Sequence, residues 1–137
     1  MKKVLVLCTG NSCRSQMAHG YLDKFKKCKA EIYSAGIETH GVNALAIKVM
    51  REDGIDISLQ TSNRIEEYRD ITFDFIITVC DNAKERCPLF PSQAQKFHHN
   101  FPDPIKAGGT EKEILETFRK VRDQIKEYCR LFVTEQL

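Results

Sequence analysis

Residues 4–15 have the sequence VLVLCTGNSCRS, in which a short apolar run is followed at once by a polar loop. The β-branched run of residues 4–7 is typical of a strand that is buried on both faces. Gly10 allows a tight turn after that strand, and Ser15 can begin a helix. A polar loop between a buried strand and a helix predicts an α/β fold, with the loop beyond the carboxyl end of the first strand.

This loop combines groups that can bind and attack a tetrahedral oxyanion. Successive N–H groups in such a loop can converge on an anion, and the following helix points its positive end at the same place. Arg14 offers a planar fork to two oxygen atoms. The same positive surroundings are expected to lower the pKa of Cys8 and to make it a nucleophilic thiolate. We therefore predict Cys8 as the nucleophile and an oxyanion site formed by Thr9, Gly10, Asn11, Ser12, Cys13, Arg14 and Ser15. The alternative is a tight turn with a buried cysteine and a surface arginine.

Strand and helix patterns alternate along the rest of the chain. Further strands are predicted at residues 31–35, 73–80 and 96–100, and helices at 15–27, 43–53 and 110–132, with a short helix or turn at 62–68. This alternation predicts a single α/β domain over residues 1–137, a three-layer sandwich with a four-stranded parallel sheet flanked by helices.

Composition narrows the class of protein. The chain has 137 residues, with 21 Lys and Arg against 19 Asp and Glu. This balance argues against nucleic-acid or membrane-surface binding on charge alone. No stretch has the apolar length of a membrane span, and MKKVLVLC (1–8) lacks the cleavage site of a signal peptide. We expect a cytoplasmic monomer.

Six cysteines, at positions 8, 13, 28, 80, 87 and 129, are many for such a protein. A reducing compartment disfavours structural disulfides, and the spacings C-x4-C and C-x6-C fit a zinc site poorly. Redox or nucleophilic chemistry is the stronger interpretation. Cys80 ends the predicted third strand, at the sheet edge where Cys8 lies, although a buried strand-end thiol is the simpler alternative for it.

Two sets of motifs resemble a known family. The stretch CTGNSCRSQMA (8–18), with Asp103-Pro104 downstream, resembles the low-molecular-weight tyrosine phosphatases, whose loop is C-x5-R-S. The stretch YSAGIETHGVN (33–43) and residues 55–62, with Cys80 and Cys87, are similar to the thioredoxin-coupled arsenate reductases on the same fold. The similarity covers nearly the whole chain.

The resemblance implies a three-thiol reduction of arsenate to arsenite. Cys8 attacks arsenate, or binds a similar oxyanion such as phosphate or sulfate, while Asp103 helps hydroxide to leave. Cys80 then attacks Cys8, and Cys87 attacks Cys80 to carry the disulfide outward. Thioredoxin reduces the Cys80–Cys87 disulfide from outside, so no resident cofactor is expected.

Two other functions remain open at this point. One is a tyrosine phosphatase that uses Cys8, Arg14 and Asp103. Ile105-Lys106 follow Asp-Pro where the phosphatases carry an aromatic residue, which disfavours a phenyl phosphate substrate. The other is a protein that only senses an oxyanion or a redox change.

The histidines do not predict a metal site. Some reductases of the family hold potassium near the loop. Asn11 and Ser34 match that site, but His19 and Asn63 stand where acidic residues are expected, so no potassium ion is predicted. His98 and His99 are interpreted as a solvent-exposed pair, because adjacent strand residues point to opposite faces.

The segment CDNAKERC (80–87) has a geometric constraint. In a helix its two cysteine Cα atoms would lie roughly 10 Å apart, whereas a disulfide requires about 7 Å or less. We therefore predict that this segment rearranges when Cys80 and Cys87 are oxidised.

Overall fold

The computed structural model describes residues 1–81, 83 and 93–137, and it contains a four-stranded parallel sheet with the strand order β2-β1-β3-β4. The strands are β1 (Lys2–Cys8), β2 (Ala30–Gly36), β3 (Phe75–Thr78) and β4 (Gln95–His98). The helices are α1 (Arg14–Phe25), α2 (Ala44–Glu52) and α3 (Glu111–Gln136), with 3-10 turns at Ile65–Tyr68 and Pro104–Lys106. The predicted α/β class and four-stranded parallel sheet are confirmed.

The apolar run of residues 4–7 forms the middle of the sheet. These residues are buried, as expected for a strand with neighbours on both sides. Cys8 lies opposite Gly36 of β2, and Leu7 lies opposite Thr78 of β3. The parallel register therefore brings the carboxyl ends of three strands together at the loop that begins with Cys8.

The helices have the caps and apolar faces that their sequences indicate. The Asn43 side chain accepts hydrogen bonds from the N–H groups of Leu45 and Ala46, which satisfies the first turn of α2. Thr110 and Glu113 form a reciprocal capping box at the start of α3. α1, α2 and α3 pack against one another, and α3 buries Leu115, Phe118, Val121, Ile125, Cys129 and Phe132.

Several element boundaries differ from the sequence predictions. β3 is shorter than predicted because its ladder ends at Thr78, opposite Leu7, before the chain reaches Cys80. α3 continues to Gln136, four residues beyond the predicted end at 132. The short helix or turn predicted at residues 62–68 is the 3-10 turn Ile65–Tyr68. No helix in the described ranges is long and apolar enough to cross a membrane.

Candidate oxyanion site

A cavity of about 410 Å³ opens at the carboxyl end of β1. The predicted loop supplies most of its lining, and the remaining lining comes from two other segments. The lining residues are Cys8, Thr9, Gly10, Ser12, Cys13, Arg14, His40, Asn43, Asp103 and Ile105. Its position at the end of a central parallel strand matches the usual place of a ligand in such sheets.

Asn11 and Ser15 lie behind the loop and brace it. Asn11 is 0% exposed and adopts φ of +46°, a left-handed conformation that Asn tolerates better than most residues. Its Nδ2 donates to Ser15 Oγ at 2.9 Å, and its Oδ1 accepts from the Asn63 N–H at 2.8 Å. These two residues therefore shape the oxyanion site from behind.

Two further braces were missed at the sequence level. The buried Gln16 donates from Nε2 to the carbonyl oxygens of Asn11 and Thr61, at 2.9 and 3.0 Å. Ser62 Oγ donates to the Asn11 carbonyl at 2.8 Å. The segment around Thr61 and Ser62 thus supports the loop from outside its own sequence. The one available signal was a Gln at an inward position of a short amphipathic helix.

Gly36 was also missed, although its place opposite Cys8 makes it part of the site. A Cβ at this position would lie 2.7 Å from the Asn11 nitrogen and 2.8 Å from the Thr9 carbonyl oxygen. Real Cβ atoms do not approach backbone atoms so closely, so only glycine lets β2 pass this near to the loop. Gly10 is similarly crowded by the His40 ring, whose Cδ2 would be 2.7 Å from a Cβ.

Arg14 and Asp103 meet at one side of the cavity. Arg14 Nη1 donates to the Phe101 carbonyl at 3.0 Å, and its Nη2 lies 3.6 Å from Asp103 Oδ2. The other Asp103 oxygen accepts from the Ile105 N–H at 3.1 Å, which caps the short Pro104–Lys106 turn. A carboxyl and a guanidinium therefore line the same cavity as Cys8.

Cys80 contacts Cys8, and this contact reverses the predicted direction of the Cys8 pKa shift. The Cys8 thiol is hydrogen-bonded to Cys80, which, together with burial, raises the pKa of Cys8 despite the opposing effect of Arg14. The same hydrogen bond, with further ones from Thr9 Oγ1 and the Ala83 N–H, lowers the pKa of Cys80 to about 5. The expected lowering of the pKa of Cys8 is therefore wrong in this state. The pair shares one proton and carries one thiolate at neutral pH, with Cys80 as the acceptor.

The other cysteines differ in environment. Cys13 is buried in the cavity wall, and desolvation raises its pKa to about 12. Cys129 is buried in α3, which raises its pKa, and Cys28 is exposed. Cys87 and most of the segment CDNAKERC lie outside the described residues, so the Cys80–Cys87 pairing and the rearrangement stay predictions.

The structure corrects the interpretation of His98 but not that of His99 as solvent-exposed. His98 Nδ1 lies 2.7 Å from Thr78 Oγ1, and the His99 ring packs against Phe101 with a centroid distance of 4.3 Å. His98 is partly buried because it lies at the end of β4 beside β3, whereas His99 is exposed although its ring contacts Phe101. Among the described residues, no group of three His, Cys, Asp or Glu side chains is placed to hold a metal ion.

At the position considered above for potassium, His19 lies between Ser34 and Asp23. His19 Nδ1 lies 2.8 Å from Ser34 Oγ, and its Nε2 lies 3.5 Å from Asp23 Oδ2. The Asn63 N–H donates a hydrogen bond to Asn11 Oδ1, and the Asn63 side-chain oxygen accepts one from Thr61 Oγ1.

Comparison with known proteins gives this site a family context. The family model described as low molecular weight phosphotyrosine protein phosphatase matches residues 3–137. The arsenate reductase of Halalkalibacterium halodurans is 47% identical over 131 residues, which cover 96% of this chain and 94% of that protein.

Two solved structures are similar over almost the whole chain. One is described as an arsenate reductase in oxidized state, with a TM-score of 0.84 and 34% identity. The other is described as an arsenate reductase in the phosphate binding state, with a TM-score of 0.80 and 34% identity. Both alignments cover 98% of each chain.

Proposed function

The chain is an enzyme of the low molecular weight phosphotyrosine protein phosphatase family, and we propose that within this family it reduces arsenate to arsenite. The observation that carries the proposal is the contact between Cys8 and Cys80 beside the cavity that the oxyanion loop lines. Hydrolysis of a phosphate ester needs one nucleophilic thiol, whereas a two-electron reduction needs a pair. The names of the relatives support the same activity.

The first step forms a bond between sulfur and arsenic. The proton of Cys8 passes to Cys80. The Cys8 thiolate then attacks the arsenic atom of arsenate, which Arg14 and the loop N–H groups hold. A hydroxide leaves and takes a proton from Asp103, so water departs. The product of this step is a Cys8–arsenic(V) adduct.

The second step transfers the two electrons. Cys80 gives up to water the proton that it took from Cys8 and becomes a thiolate again. This thiolate attacks the Cys8 sulfur, and the sulfur–arsenic bond breaks with its electron pair on arsenic. Arsenic(III) leaves as arsenite, and a Cys8–Cys80 disulfide remains. The low pKa of Cys80 supports this role, because a thiolate is the attacking species in disulfide formation.

Regeneration requires a third thiol and an external dithiol. Cys87 attacks Cys80 and frees Cys8, and thioredoxin then reduces the Cys80–Cys87 disulfide with its own two thiols. This cycle needs no resident cofactor or metal, and it suits a monomer in the reducing cytoplasm, where it would serve arsenic detoxification.

The proposal is tested by following arsenate reduction with thioredoxin as the sole reductant. We expect multiple turnovers for the unchanged protein, none for Cys8→Ser, and no more than one for Cys87→Ala. Continued turnover of Cys87→Ala would show that the three-thiol cycle is wrong. Failure of the unchanged protein to form arsenite, with arsenate bound, would refute arsenate reduction itself.

A second candidate is hydrolysis of phosphate monoesters, which the pairing of Arg14 with Asp103 favours. Such hydrolysis would pass through a Cys8 phosphocysteine, with Asp103 protonating the leaving oxygen. Cys87→Ala separates the candidates, because it should leave hydrolysis of an aryl phosphate unchanged.

A further inference from the structure

A chain of hydrogen bonds runs from the end of the sheet to the residue after Cys80. Thr78 Oγ1 lies 2.7 Å from His98 Nδ1, and His98 Nε2 lies 3.0 Å from Asp81 Oδ1. Thr78 is buried, the His98 side chain is 24% exposed and the Asp81 side chain is 68% exposed. The three side chains link β3, β4 and the start of the segment that follows Cys80.

The sheet places His98 for this contact. β3 and β4 pair in parallel with Thr78 opposite His98, so the two side chains project from the same face. A buried hydroxyl needs a hydrogen-bond partner, and Thr78 Oγ1 also lies 3.3 Å from the Phe97 carbonyl oxygen.

The two acceptors within reach of Thr78 make the link independent of the charge on His98. When the hydroxyl donates to His98 Nδ1, the Nε2–H of the neutral imidazole donates to Asp81. When the hydroxyl donates to Phe97, a protonated imidazole donates to both Thr78 and Asp81. Both partners are therefore kept in either protonation state.

Cys80 lies between the two residues that His98 ties together. On its N-terminal side, the Val79 N–H donates to the Leu7 carbonyl at 3.0 Å, which secures the chain to β1. On its C-terminal side, the hydrogen bond from His98 secures Asp81. Two residues later, the Ala83 N–H donates to the Cys80 sulfur. The sulfur is thereby held 3.3 Å from Thr9 Oγ1.

We propose that His98 is a positioning residue for Cys80. By bridging Thr78 and Asp81, it holds the Cys80 sulfur toward Cys8 for the step in which Cys80 attacks Cys8 and the electron pair of the sulfur–arsenic bond passes to arsenic. The inference deepens the proposed function and rests on it for the identity of the electrophile.

Three variants of His98 separate its hydrogen bond with Thr78 from its hydrogen bond with Asp81. His98→Ala removes both hydrogen bonds. His98→Asn places an amide where Nδ1 stands and keeps the bond to Thr78, whereas His98→Gln places one near Nε2 and keeps the bond to Asp81. Lys96→Gln, at an exposed position of the same strand, is the control.

The rate of Cys8–Cys80 disulfide formation is measured in a single turnover with arsenate. All variants carry Cys87→Ala so that the disulfide does not move on, and acid-quenched samples are analysed by mass spectrometry. We expect His98→Ala to slow disulfide formation about tenfold and the Asn and Gln variants about threefold, since each lost hydrogen bond has a modest net effect. The control should match the parent, and the affinity for inorganic phosphate should stay the same throughout.

A second measurement does not depend on arsenate. The thiolate of the Cys8–Cys80 pair is titrated by its ultraviolet absorbance, with an expected midpoint near pH 5 in the parent, because that is about the pKa of Cys80. His98→Ala should move the midpoint upward, since the Ala83 N–H is no longer held toward the sulfur.

The possible results separate the inference from the proposed function. Disulfide formation by His98→Ala at the parent rate would overturn the inference. An equal loss of rate and phosphate affinity would also overturn it, because His98 would then support only the fold. If the parent forms no disulfide with arsenate, the proposed function fails, and the thiolate titration alone decides whether His98 positions Cys80.

Discussion

The oxyanion loop and the ion pairs between α2 and α3 both hold polar groups together, but by opposite means. Behind the loop, Asn11 and Ser15 are fully buried and neutral, and each hydrogen bond has one defined partner. Between the helices, Glu52 lies 2.9 Å from Arg119 and 3.3 Å from Arg122, where all three side chains reach solvent. Water can replace a lost partner only in the second case. We therefore expect substitutions behind the loop to have large effects and those between the helices to have small ones.

Gly36→Ala should have the largest effect. Its Cβ would collide with backbone atoms of Thr9 and Asn11, which cannot turn aside as a side chain would. We expect the free energy of unfolding to fall by at least about 3 kcal/mol, the upper end for overpacking, and inorganic phosphate to bind at least about tenfold more weakly. Chemical denaturation and calorimetric titration measure the two effects.

Gly108→Ala is the matched control for this prediction. A Cβ at position 108 meets no atom of the described part of the chain within 4 Å, so stability should change by no more than about 0.5 kcal/mol. If Gly36→Ala is as stable as this control and binds phosphate normally, the close approach of β2 to the loop does not shape the site.

Gly36 also shows where prediction from sequence stops. The strand, the loop and the helix after it are contiguous, so residues 4–15 predict their order and the oxyanion site locally. Gly36 and Gln16 act on Asn11 only through tertiary packing, which the sequence does not display. The pKa of Cys8 departs from the sequence prediction for the same reason. The influence of Arg14 is local, but the opposing contact comes from Cys80, whose position depends on how β3 pairs with β1.

Asn11→Ala should have the next largest effect. It loses the bonds to Ser15 and to the Asn63 N–H and places alanine at φ of +46°. We expect the free energy of unfolding to fall by about 2–3 kcal/mol.

Asn11→Gly separates the two causes, because glycine accepts this φ but makes neither bond. It should be more stable than Asn11→Ala by about 1 kcal/mol. Equal stability of the two variants would mean that backbone strain contributes nothing at this position.

Thr9→Val should act mainly on the pKa of Cys80 and only weakly on the free energy of unfolding. The Thr9 hydroxyl hydrogen bond helps to lower the pKa of Cys80 to about 5, so the thiolate is present above that pH and lost below it. Without the hydroxyl, the pKa rises and the thiolate appears only at higher pH. Titration by ultraviolet absorbance measures the shift, and Thr9→Ser, which keeps the hydroxyl, is the control. If Thr9→Val has the same titration midpoint as the parent, the Thr9 hydroxyl does not lower the pKa of Cys80.

Glu52→Gln should have the smallest effect on stability. Its hydrogen bond with Arg119 lowers the pKa of Glu52, so the stabilisation is present above the ordinary pKa of a glutamate and is lost as the pH falls through the lowered value. Because the pair is exposed, added salt should bring the thermal midpoints of variant and parent together.

Glu127→Gln is the control, because Glu127 pairs with Arg130 within α3 and, among the residues that the structure describes, joins no second element. Glu52→Gln should lower the midpoint slightly more than this control at low salt, since it also loosens α2 from α3. Should Glu52→Gln instead destabilise the protein as much as Asn11→Ala, in a salt-independent way, exposure would not be what separates the two regions. The network between the helices would then count as part of the framework that holds the loop.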